Sequence, residues 1–71
     1  MTIKTLTYIH NLLIDDVKTN TNAKDYARQI AEKAEDEEAP NAQYLRELYN
    51  KAFNKYLDAC NALQDFEAKE W

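Results

Sequence analysis

Glu38-Ala39-Pro40-Asn41 is the one stretch at which a helical pattern running almost the whole length of the chain has to stop. The chain's single proline lies there, and no glycine occurs anywhere to offer a competing place for a reversal. Proline lacks the N–H that the preceding helical turn would bind, and it disfavours the α conformation at Ala39. It is tolerated as the first residue of a new helix, and Asn41 offers an alternative N-cap one step later. Helical stretches predicted over residues 3–37 and 42–70 flank the break. The expected fold is all-α: an antiparallel hairpin reversing at 38–41, one domain over residues 1–71.

Upstream of the break, Ile3, Leu6, His10, Leu13 and Val17 keep a three-four spacing for more than four turns, the mark of an amphipathic helix. The β-branched opening at residues 2–9 would also suit a strand, but a lone strand has nothing to pair with in this chain. Thr2 or Thr5 is the expected N-cap. Tyr8, Ile9, Leu12 and Ile14 lie beside or behind the main stripe, which is more apolar surface than one partner helix covers. Thr19-Asn20-Thr21-Asn22 is the weakest helical segment, since its side chains compete with the backbone for hydrogen bonds. Two readings stay open there: a soft but continuous helix, or a break with Asn22 capping a new helix from Ala23.

Small residues follow at Ala27, Ala31 and Ala34, with Ile30 between them. The second stretch supplies larger partners: Leu45, Leu48, Tyr49, Phe53, Tyr56, Cys60, Leu63 and Phe66, with Ala52 and Ala59, form a face wider than a two-stranded coiled-coil seam requires. A reversal centred on 39–40 sets Ala34 against Leu45, Ala31 against Leu48, Lys24 near Tyr56, Asn20 against Ala59 and Leu13 against Phe66, and brings Ile9 towards Trp71. Glu35 to Glu38 place four acids at a helix C-terminus, where the macrodipole disfavours them. Lys33 and Arg46 are within reach to relieve the repulsion. The acids splay around the helix and accompany no glycine-centred calcium loop, so they read as a solvated helix end. Glu47–Lys51 and Asp65–Lys69 are ordinary i,i+4 supports of an exposed face.

Thirteen acids against nine basic residues leave a formal charge of -4, which repels nucleic acid backbones and anionic membrane surfaces. Cys60 is the only cysteine and can form no internal disulfide. The opening residues lack the basic, apolar and small-residue segments of a signal peptide, and no run is apolar enough to span a bilayer. A reducing cytoplasm is the expected location. His10 is the only histidine, its nearest acids Asp15 and Asp16 lie off its face, and no ligand cluster, phosphate loop or nucleophile motif is present. No catalytic residue, metal, cofactor or small-molecule substrate is expected.

What remains is aromatic and apolar surface. Five tyrosines, two phenylalanines and one tryptophan in 71 residues cannot all enter one narrow seam, and tyrosine suits interfaces because it buries a ring while keeping its hydroxyl wet. The expected role is a non-catalytic protein–protein interaction or assembly module. Small acidic helical chains are common among accessory proteins of bacteria and phages, an association that names no function. The expected partner is a second copy, giving an antiparallel dimer that forms a four-helix bundle; another protein is the other candidate. Interface candidates are Leu6, Ile9, Leu12, Leu13, Tyr49, Phe53, Tyr56, Cys60 and Trp71. The alternative is an acidic helical regulator that occupies a partner's nucleic-acid-binding surface. Mixed charge around an apolar patch would favour assembly, and a continuous carboxylate stripe would favour mimicry.

Overall fold

The structure, a computed structural model, describes residues 2–69. It is an antiparallel hairpin of two helices, α1 (Ile3–Asp36) and α2 (Ala42–Ala68). Thr2 caps α1: its backbone is extended, and its hydroxyl accepts the Thr5 N–H at 3.2 Å. That leaves Thr5 inside the helix and the strand alternative at 3–9 unrealised. α1 also runs unbroken through residues 19–22. Two side chains that could have diverted the backbone bond back onto the preceding turn instead. Thr21 Oγ1 donates to the Val17 carbonyl at 2.8 Å and Asn20 Nδ2 to the Asp16 carbonyl at 2.8 Å.

The reversal begins two residues before the proline. Glu38 adopts a left-handed conformation, φ 54°, in a position that helices usually give to glycine. Its N–H bonds the Glu35 carbonyl at 3.1 Å, and the Ala39 N–H bonds the Ala34 carbonyl at 2.9 Å. These two bonds make a Schellman motif and satisfy carbonyls that the helix end would otherwise leave open. With no glycine in the chain, a glutamate takes the strained position. Asn41 then stands at the N-cap of α2 without a side-chain capping bond. The first tie of the new helix is the Leu45 N–H to the Asn41 carbonyl, 3.0 Å.

The helices approach through small side chains. Ala31, Ala34 and Ala59 are the buried hydrophobic residues among those described, and Ala31 is fully enclosed. The expected register holds: Lys24 Nζ lies 4.8 Å from the centre of the Tyr56 ring, and Arg46 bridges the turn to Glu35 through its Nε and Nη2. Leu48 differs from expectation. Assigned to the inner stripe opposite Ala31, it stands at the edge of the seam, 38% exposed, because alanines packed this closely leave no room between them for a leucine.

A rod results, 53 × 15 × 12 Å, with a radius of gyration of 16.3 Å where a compact chain of this length would have about 11 Å. It exposes 5569 Å², about 1,000 Å² more than a compact protein of the same mass.

Candidate interaction surface

One flank of the rod carries a ladder of rings. Tyr49, Phe53 and Tyr56 follow one another along α2 at three- and four-residue spacing, which puts them on neighbouring turns of one face. Ring centres are 6.0 Å apart between Tyr49 and Phe53 and 6.2 Å between Phe53 and Tyr56, in the range of favourable aromatic pairs. A cation covers each end: the Arg46 guanidinium lies 5.3 Å from the Tyr49 ring and the Lys24 ammonium 4.8 Å from that of Tyr56. Leu57, four residues after Phe53, extends the apolar surface and is 42% exposed.

Beside the ladder, α1 supplies a charged edge in which acids and bases are intermixed and paired. Lys24 contacts Asp25 at 3.0 Å, Arg28 reaches Glu32 at 3.9 Å, and Glu35 is held by Arg46. The Arg46 hydrogen bonds hold the Glu35 carboxyl below its ordinary value, with desolvation opposing them and the guanidinium charge assisting. At Tyr56 the neighbouring Cys60 thiol acts first, by hydrogen bonding and then by charge, and raises the phenol above its usual value. Burial and Asp25 push the same way, while Lys24 opposes them. Tyr56 therefore stays a neutral, hydrogen-bonding ring at ordinary pH.

The other flank is discontinuous. Near the turn, Tyr26, Ala27, Ile30, Leu45 and Leu48 line an apolar notch of about 190 Å³. Midway along the rod, a groove of about 360 Å³ is lined by polar groups, Asp16, Asn20, Lys55 and Asp58, with Ala59 and Ala62. Leu12 lies one turn before Asp16 and is half exposed, so it is cut off from the notch by that polar stretch.

The expected interface residues are thus divided by the fold. Tyr49, Phe53, Tyr56 and Cys60 stand together on the ladder flank; Phe53 is 37% exposed and the other three are partly covered. Leu6 lines a shallow groove of about 270 Å³ at the open end, Ile9 and Leu13 are half-buried, and Leu12 is on the other flank. Trp71 lies outside the described residues. Two participants were missed by sequence reasoning. Leu57 was legible as the i+4 neighbour of Phe53. Glu67, which meets His10 Nε2 at 3.0 Å while the imidazole stacks on Phe66 with ring centres 5.7 Å apart, lies on the opposite helix, where the spacing along α1 carries no signal of it.

Among the described residues, no group of three or more His, Cys, Asp or Glu side chains is placed to hold a metal ion, and no helix is long and apolar enough to cross a membrane. The molecule belongs structurally to the two-helix antiparallel hairpins, here with a solvent-facing aromatic flank. Comparison with protein-family models, curated proteins and solved structures finds no match to this chain.

Proposed function

We propose that this protein is a non-catalytic assembly module that presents a helical, tyrosine-rich surface to a second copy of itself, so that two hairpins associate into a four-helix bundle. One observation carries the reading: among the described residues only three alanines are buried hydrophobics, and no large side chain is fully enclosed. A fold whose tyrosines, leucines and phenylalanines all keep contact with water has little to offset the entropy of ordering the chain. A second copy supplies the missing core. A compact particle of twice the mass exposes about 7,600 Å², so two hairpins reach that value by burying about 3,500 Å² between them, within the range of obligate homodimers. The interleaved ion pairs around the ladder support assembly over acidic mimicry, which calls for an unbroken row of carboxylates.

Sedimentation equilibrium at tens of micromolar tests the proposal. The expected result is a species of twice the 8.3 kDa chain mass, with a melting temperature that rises with protein concentration because folding and association are linked. A single 8.3 kDa species with a concentration-independent melt would sink self-association.

A further inference from the structure

Building on that reading, we infer that the seam is the ladder flank, that its occupant is a second copy running in the opposite direction, and that the two-fold axis passes beside Phe53. The ladder is the flank whose apolar surface continues through the middle of the rod. The other is interrupted there by Asp16, Asn20, Lys55 and Asp58, and a two-fold interface on it would bury those groups at its centre.

Charge gives a second, independent argument. In a two-fold contact the same surface must complement itself, with residue i facing j and j facing i. An axis beside Phe53 places Tyr49 of one copy against Leu57 of the other. On α1 the same level falls between Asp25 and Arg28, as the contact of Lys24 with Tyr56 one turn away shows. The opposed copy therefore sets Asp25 beside the other chain's Arg28, twice by symmetry. Further out along the edge, Lys18 faces Glu35. Asp25 pairs with Lys24 and Arg28 reaches Glu32 within one chain, yet their side chains stay 42% and 49% exposed, which leaves each able to gain a second partner at the rim. The cations over Tyr49 and Tyr56 then close the two ends of the buried ring stack.

Charge exchange on the full chain tests the seam without touching a buried residue. Asp25→Arg alone gathers four guanidinium groups at the axis and is expected to weaken the dimer about tenfold by sedimentation; Arg28→Asp alone, gathering four carboxylates, does the same. The double exchange, Asp25→Arg with Arg28→Asp, restores affinity to within about threefold of the wild type. Leu12→Glu, on the other flank, leaves the dimer unchanged. Circular dichroism at high concentration reports whether each variant keeps its helices. A dimer indifferent to the single exchanges, or a double exchange no better than the singles, overturns the seam while leaving self-association standing. A dimer broken by Leu12→Glu with intact helicity moves the seam to the other flank. A wild type that stays at 8.3 kDa overturns both proposals and leaves the ladder to a different protein.

Discussion

Glu38 is the residue on which the reversal turns, and it bears a cost that glycine would not. A side chain in the left-handed region crowds its own carbonyl by roughly 1–2 kcal/mol. Glu38→Gly removes the crowding but adds unfolded-state entropy, so the expected net gain is about 1 kcal/mol in urea unfolding. Glu38→Ala keeps the β-carbon and separates this effect from the loss of a charge among clustered acids. Glu35 makes the second prediction at this scale. Its folded carboxyl sits below the ordinary 4.5 because Arg46 binds the ionised form. Stabilisation from this pair is therefore complete above the ordinary value and is lost as pH falls through the lower folded one. Arg46→Gln should flatten that part of the acid unfolding curve and leave the melting temperature less dependent on pH there, as thermal melts across the acid range would reveal.

At the scale of the element, α1 survives a weak centre because two of the four residues at 19–22 turn their polar atoms back onto carbonyls one turn earlier. Such bonds hold a helix together without making it strong. Thr19 and Asn22 face solvent, so replacing either with alanine should add about 0.5 kcal/mol through intrinsic propensity alone. Asn22→Pro should cost about 3 kcal/mol or more, since it removes a backbone bond and clashes with the preceding turn. Helicity followed by circular dichroism during urea titration distinguishes the two outcomes. A gain from alanine smaller than the error, together with tolerance of proline, would mean that the segment is already open in solution.

Across the whole molecule, the helix spacing is set by Ala31, Ala34 and Ala59. Alanine at these points lets the backbones approach, and this approach is what extrudes Leu48 and raises the aromatic ladder. Ala31→Leu should wedge the helices apart and destabilise the fold by about 1–3 kcal/mol. The same substitution at exposed Glu32 controls for the change in composition. A stability loss equal at both positions would argue that Ala31 is not in a close-packed seam.

Much of this architecture could be read along the chain, because the forces involved are local. A lone proline, the absence of glycine and the periodicity of Leu6, Leu13 and Val17 act within a turn or two, so the all-helical hairpin and its reversal at 38–41 followed from sequence. So did the proximity of Lys24 and Tyr56, which depends only on counting back from the turn. Sequence also offered both an open and a closed reading at 19–22, and local chemistry could not choose, since the same hydroxyl and amide groups serve either one. Tertiary structure decided the rest. Which flank receives Phe53 and which receives Leu12, and that His10 finds Glu67 across the hairpin, depend on the rotation of one helix about its axis against the other. That rotation is fixed by how closely three alanines let the backbones pack, a quantity that no single helix contains.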